Sequence, residues 1–378
     1  MDNKKETALI TFIVTNDCQL RCKYCYEIEK NNKSKISINI AKKAIDDIID
    51  NLLFTESCES VVFDFIGGEP LLEIDLIDKI CAYIDDKFTL SNHVWKDKYS
   101  FSITTNGLLY SSKKVQNFIT RHKSKLKISI SFDGNKVKHD LNRVFPNGKG
   151  SYDLVLQNVK LWISQFEDTS AKMVISKADI NDVAASAIHL LELGISRLDM
   201  NLVVEDLWLK GDDDIFEEQL IILADYIIQN ELYLNHKIYI FEEGIGHSLK
   251  KEEIISPCEK YAVTVDCKGN YFTCLRFSSF ALKNKQERTI GNIYTGLNWN
   301  RLRPFYTMFN YLKNPEKCQD CKIASGCRFC VANDYDFAES TTIFTKETNI
   351  CLMHAARVRA KNYYWRKLMN YEYRNKKE

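Results

Sequence analysis

Short apolar runs recur along the first part of the chain at Ala8–Val14, Val61–Ile66, Phe101–Thr104, Lys127–Phe132, Lys172–Ile175 and Arg197–Val203. Each is bounded by polar residues and rich in β-branched or aromatic side chains, which predicts a strand. Between them the apolar positions change to helical spacing. Ala41, Ile45, Ile48 and Leu52 share one face of such a segment, while Lys42, Asp46 and Asp50 point away, as an amphipathic helix requires. Similar patterns cover residues 71–88, 111–122, 151–165, 180–193 and 214–230. Six β/α units imply an α/β fold, a parallel sheet covered by helices. Closed or nearly closed, the sheet becomes a partial (β/α)6 TIM-like barrel with its functional residues at the C-terminal strand ends. The rhythm loosens after the sixth strand. We expect the barrel over 1–235, a connector over 236–256, a small cysteine-rich domain over 257–354 and a C-terminal helix over 355–378.

The polar residues at the strand ends carry the candidate chemistry. After the first strand stands Cys18-Gln-Leu-Arg-Cys22-Lys-Tyr-Cys25. Thiolates favour zinc, copper(I) or iron–sulfur clusters. Three of them fall one short of the four ligands of a structural site, and an open coordination position marks a reactive one. A zinc clip or three unrelated core thiols are the alternatives. After the second strand comes Gly67-Gly68-Glu69-Pro70. Paired glycines let backbone approach a ligand and adopt positive φ; an ordinary turn with Pro70 opening a helix reads equally well. Thr105-Asn106-Gly107 follows the third strand and Ser131-Phe132-Asp133-Gly134 the fourth. Their short polar side chains could bind a ligand or cap helices, and we read Asp133 as a cap.

The cysteines return in the second half as Cys258, Cys267, Cys274, Cys318, Cys321, Cys327, Cys330 and Cys351. Lys268-Gly269-Asn270 is a hairpin signal between Tyr261–Val265 and Tyr271–Thr273, which returns Cys274 towards Cys258. Seven or eight thiolates suit two metal sites; a pair of zinc ribbons is the plainer reading. Cys58 and Cys81 sit in helix-side apolar patterns and read as core. His236 and His247 lack a partner at ligand spacing and read as loop or interface residues.

With 378 residues, about two domains fit. A net charge of +1 gives no global field for nucleic acid or a membrane surface. The first residues contain no signal-peptide core, and no apolar run is long enough to span a bilayer. The expected location is cytoplasmic. Thirteen cysteines in a chain of that compartment point to metal binding or catalysis, not to disulfides. The tail Ala355–Glu378 is basic and aromatic; we expect a solvated helix whose cations complement its dipole, before an RNA- or leader-peptide-binding segment.

The Cys-x3-Cys-x2-Cys spacing with Tyr24 before Cys25 resembles the signature of radical S-adenosylmethionine (SAM) enzymes. The match extends to their "GGEP", "TNG" and "SxDG" segments. His139-Asp140, Arg143 and Gly148-Lys-Gly150-Ser151 resemble a tract of the same subgroup. The resemblance implies a 4Fe–4S cluster on Cys18, Cys22 and Cys25, whose open iron chelates SAM and cleaves it to a 5′-deoxyadenosyl radical. It also implies a SAM site drawn from Tyr24, Gly67, Gly68, Glu69, Pro70, Asn106, Ser131 and Arg143. The C-terminal layout resembles the SPASM domain, which holds two auxiliary 4Fe–4S clusters. By that likeness Cys318, Cys321, Cys327 and Cys351 ligate the distal cluster, and Cys258, Cys274 and Cys330 the proximal one. Two residues, Arg328 and Phe329, separate the last two knot cysteines where the family usually has three. Cys267 could be the fourth proximal ligand; we take it as structural and that site as open to a substrate thiolate.

Within SPASM proteins, anaerobic sulfatase-maturing enzymes place an Asp base directly after the cysteine matching Cys274. Here Leu275 and Arg276 follow. The stretch looks more like peptide maturases of the Cys-xxx repeat group, which form Cys thioether crosslinks in ribosomal precursor peptides. We therefore expect a radical SAM oxidoreductase acting on a Cys-containing precursor peptide. Formylglycine formation is the alternative, and a zinc-ribbon binding protein a remote one. Implied partners are an electron donor such as flavodoxin or ferredoxin and, since the first strand begins near residue 8, either a separate leader-binding protein or a leader recognised by the core and tail themselves. No general base is identified.

Overall fold

The computed structural model describes residues 6–28, 32–249, 261–311, 316–327, 330–339, 341–346 and 350–375. All six expected strands form: β1 (Glu6–Thr15), β2 (Cys58–Gly67), β3 (Tyr99–Thr105), β4 (Leu126–Ser131), β5 (Ser170–Ile175) and β6 (Arg197–Leu202). They lie side by side in chain order, every neighbouring pair parallel. Helices α1 (Ile38–Ile49), α2 (Leu52–Ser57), α3 (Ile74–Leu90), α4 (Lys113–His122), α5 (Lys136–Asn142), α6 (Tyr152–Gln165), α7 (Val183–Glu192) and α8 (Asp212–Gln229) fill the crossovers. Ala41, Ala44, Ile45 and Ile48 of α1 are buried as the helical spacing requires, and the Ser37 hydroxyl caps that helix at the Ile40 N–H (3.2 Å).

The sheet is an open row. The connector supplies β7 (Lys237–Ile238) beside β6. At the other edge β8 (Ala262–Val265) pairs in parallel with β1, Leu9 opposite Ala262 through Phe12 opposite Val265. The expected hairpin follows: β9 (Asn270–Phe272) runs antiparallel to β8, with Gly269 at φ +85° in the turn. Strands β10 (Gly291–Asn292) and β11 (Gly296–Leu297) complete the order β11-β10-β9-β8-β1-β2-β3-β4-β5-β6-β7. The cysteine-rich region is thus sewn to the barrel through its first strand. It also carries α9 (Trp299–Tyr311), α10 (Glu316–Gln319), α11 (Val331–Phe337) and α12 (Cys351–Asn375).

The tail helix differs from expectation. It begins at Cys351 and is docked, not solvated, because Met353, Ala356, Ala360, Tyr364 and Leu368 form a buried stripe at helical spacing. Its cations serve acids of α8: Arg359 pairs with Asp213 and Glu217, and Lys367 with Asp225.

Strand faces also differ from continuous apolar runs. In β2, Val61, Phe63 and Phe65 are buried in the core while Asp64 and Ile66 face a lumen. Polar residues alternate in the same way along β3 to β6. Thr104, Ser131, Lys172 and Asn201 line an upper cavity, and Ser102, Ser129, Ser170 and Asp199 a lower one. Where a closed eight-stranded barrel packs its centre with apolar layers, this one keeps it polar and hollow.

Candidate functional site

The upper cavity, about 400 Å³, lies at the C-terminal strand ends, and Cys18, Cys22 and Cys25 open onto it as half-buried thiols outside any disulfide. Their loop is held from two sides. On one, the N–H groups of Gly68 and Glu69 donate to the carbonyls of Thr15 (2.9 Å) and Asp17 (2.8 Å). A Cβ on Gly68 would stand 2.3 Å from the Asp17 carbonyl oxygen, and one on Gly67, at φ +152°, 2.1 Å from that of Thr15. Both glycines are there for close approach. With those two N–H groups committed, the segment's carbonyls are what it can present to a ligand ammonium. On the other side, Arg21 N–H donates to Val144 O (2.7 Å) and Lys23 N–H to Asn142 O (3.0 Å).

Tyr24 anchors the loop by donating its hydroxyl to the carboxylate of Asp133. Asp133 is therefore not a cap; Asn135 caps α5, accepting from the Lys138 N–H (3.0 Å). The Asp133 carboxylate is fully buried, accepts Arg143 Nε at 2.9 Å and Nη2 at 3.2 Å, and takes the Val174 N–H at 3.0 Å. Burial works to raise its pKa, but Arg143, Lys138 and His139 outweigh it and hold the carboxyl below the ordinary value. Arg143 and Ser131 both reach the cavity wall. His139 is buried between the Asp133 N–H and the Ser151 hydroxyl (3.0 Å), and burial drives its pKa down to about 3.

Glu69 is buried and ties β2 to β3, accepting from the Thr105 hydroxyl (2.6 Å), the Asn106 N–H (2.7 Å) and the Leu71 N–H (3.0 Å). Asn106 points its side-chain amide at Gln19 Oε1 (3.2 Å) and Cys18 Sγ (3.8 Å). Pro70 is buried at the first position of a short 3₁₀ helix, away from the cavity wall. Burial, aided by the Glu69 carboxylate, pushes the Cys18 thiol up to about 12. A cationic centre would draw out that proton, as metal binding to thiols does. The donor set fits an iron–sulfur cluster. Among the described residues no three Cys, His, Asp or Glu side chains gather closely enough to hold one metal ion.

Cys318, Cys321 and Cys351 stand near enough to Cys327 to act on its charge: burial pushes that thiol up to about 11, Lys346 lowers it, and the three other thiols raise it further. Cys274 precedes a 3₁₀ helix, Leu275–Phe277, and Cys330 precedes α11. The rings of Phe277 and Tyr335, 5.9 Å apart, join those two elements. Cys258, Arg328 and Phe329 lie outside the described residues. Cys267 donates its thiol to Ile13 O (3.3 Å) and packs against Ile13 and Ile66, a structural placement. His236 Nδ1 contacts Leu232 O (3.2 Å), and His247 Nδ1 contacts the Ser325 hydroxyl (2.9 Å), tying the connector to the cysteine knot. Cys58 and Cys81 are core.

Several cavity residues escaped the motif reading: Asp64, Lys172 and Glu205; Arg276, read only as the neighbour of Cys274, also lines the wall. Burial raises the Asp64 carboxyl, with the Ser102 hydroxyl and Lys172 pulling it back. Lys172 reaches the Thr104 hydroxyl (3.0 Å). A charge alternating with apolar residues inside a strand is the signal that exposes such positions.

Comparison with known proteins accords with this geometry. An uncharacterized protein of Methanocaldococcus jannaschii is 29% identical over 192 residues, half of this chain and 60% of its own length. A cysteine-type anaerobic sulfatase-maturating enzyme of Clostridium novyi is 28% identical over 42% of this chain and 40% of its own. The chain thus spans about half the length of these curated relatives. The solved structure of anSMEcpe with bound AdoMet and a Cp18Cys peptide shares the fold at a TM-score of 0.70 and 19% identity, over 97% of this chain and 98% of that one. Residues 12–184, from the first strand through the cysteine loop to the start of α7, match the Radical SAM superfamily model, and this part of the chain belongs to that superfamily.

Proposed function

We propose that the chain is a radical SAM enzyme that removes a hydrogen atom from a Cys-containing peptide and forms thioether crosslinks. Supplied with SAM, a 4Fe–4S cluster on Cys18, Cys22 and Cys25 provides the 5′-deoxyadenosyl radical. The protein's part is placement. Gly67 and Gly68 carbonyls receive the SAM ammonium, while Asn106, Ser131 and Arg143 face its carboxylate and ribose. Crosslinking replaces a C–H and an S–H bond by C–S: the hydrogen atom leaves with deoxyadenosine, the thiol gives up a proton, and one electron remains to be taken up. Cys318, Cys321, Cys327 and Cys351, and Cys258, Cys274 and Cys330, would hold auxiliary iron–sulfur centres, which would supply an acceptor for it.

The observation that carries this reading is the shared cavity. The helix that follows Cys274 supplies Leu275 and Arg276 to the same wall that the thiol loop opens onto. That arrangement supports a role for the Cys274 segment in the reaction; directly after Cys274, where a sulfatase maturase would carry an acid, Leu275 stands, and Arg276 beside it cannot act as a base. Likeness to a sulfatase-maturating enzyme over 42% of this chain supports formylglycine formation as the second reading.

Anaerobic incubation with SAM, a reductant and the Cys-containing peptides encoded beside the gene tests both. Thioether formation lowers the product mass by a pair of hydrogens; formylglycine formation at cysteine exchanges sulfur for oxygen. Purified protein holding zinc, or deoxyadenosine formation that survives replacement of Cys18, Cys22 and Cys25 by Ala, would sink the assignment.

A further inference from the structure

Arg276 reaches from the cysteine-rich region to the residue next to the thiol loop. It sits two residues after Cys274, and its side chain is only 26% exposed. Its Nη1 donates to Glu205 Oε1 at 2.7 Å, so the guanidinium is tied to the segment following β6. The guanidinium carbon lies 5.1 Å from the ring of Tyr26, the residue directly after Cys25. Cys330 and Glu205 are the other charges acting on it. One fixed cation therefore stands between the thiol loop and the C-terminal thiols, in a partly dehydrated cavity wall.

A guanidinium keeps its proton under all ordinary conditions. Adding an electron to an iron–sulfur centre adds negative charge, and a nearby buried cation stabilises that charge more strongly than water-screened surface groups do. We propose that Arg276 sets the reduction potential of the centre held by Cys274 and Cys330, with the Glu205 carboxylate as its counterweight. The inference rests on reading those thiols as ligands of an auxiliary iron–sulfur centre. It assigns the electrostatic role to the neighbour of Leu275, the residue that stands where, on the resemblance, sulfatase maturases carry an acid.

The test is a reductive titration of the full chain, purified anaerobically and followed by electron paramagnetic resonance. It covers wild type, Arg276→Met, Arg276→Lys, Glu205→Gln and Cys274→Ala, with iron and sulfide content measured for each. Arg276→Met should lower one midpoint potential, Glu205→Gln should raise the same one, and Arg276→Lys should restore most of the wild-type value. Opposite signs from the two neutralised partners distinguish charge from packing, since breaking a structural contact from either side would move the centre the same way. Equal potentials in all loaded variants, or shifts of one sign, overturn the proposal and leave the iron-site reading standing. If Cys274→Ala changes neither iron content nor any signal, the auxiliary-centre reading fails as well, while the thiol loop of Cys18, Cys22 and Cys25 is untouched.

Discussion

Arg143 and Arg276 reach the same cavity from opposite halves of the chain. Arg143 comes from the barrel, is buried, and is clamped through two contacts by Asp133, which is itself fully buried. Arg276 comes from the cysteine-rich region, is partly exposed, and is gripped by a single oxygen of Glu205. The first pair is a junction: Asp133 also receives Tyr24 from the thiol loop and the Val174 N–H from β5. The second is a bridge between regions, with little else depending on it. Desolvation makes the difference, because a buried charge left without its partner is far more costly than a wetted one.

The comparison gives a ranked set of expectations. Asp133→Ala should destabilise the fold by about 3–5 kcal/mol in urea melts, since it strands the Arg143 guanidinium; a loss below about 1 kcal/mol would put the two pairs in one class. Asp133 should also write an acid limb into the stability curve. Its folded pKa lies below the ordinary 3.8, so its contribution is complete above that value and drains away as pH falls through the folded value. Urea melts between about pH 6 and pH 2 should show a slope in wild type that Asp133→Asn lacks. Glu205→Gln should cost about 1 kcal/mol, with spectroscopic rather than structural consequences. Least of all, Asp168→Asn, which breaks the solvent-facing pair with Arg197 beside the lower cavity, should stay within about 0.5 kcal/mol.

The barrel was legible because its helix-facing residues alone, such as Val61, Phe63 and Phe65, are enough to mark a strand. What those runs concealed was the other face. Asp64 and Lys172 interrupt apolar stretches singly, and a single polar residue in a short run is easily absorbed into the strand assignment. The thiol loop and the paired glycines were legible because their chemistry is local in sequence. Asp133 was misread for the opposite reason: Asp at a strand–helix junction commonly caps, and only the fold brings Arg143 and Tyr24 to it. Glu205 and Arg276 meet across 71 residues, which no pattern along the chain records. The docked tail could have been found, since the stripe from Met353 to Leu368 is regular, but its many cations drew attention to its charge.

The parallel pairing of β1 with β8 has a consequence for how the chain is made. Leu9 and Ala262 are neighbours in space, so β1 keeps one row of amide and carbonyl groups uncovered until residue 262 has left the ribosome. Long-range closure of this kind is slow to form and open to wrong pairing in the meantime. Fragments ending before residue 262 should aggregate along that edge even though their helices and parallel strands are all present.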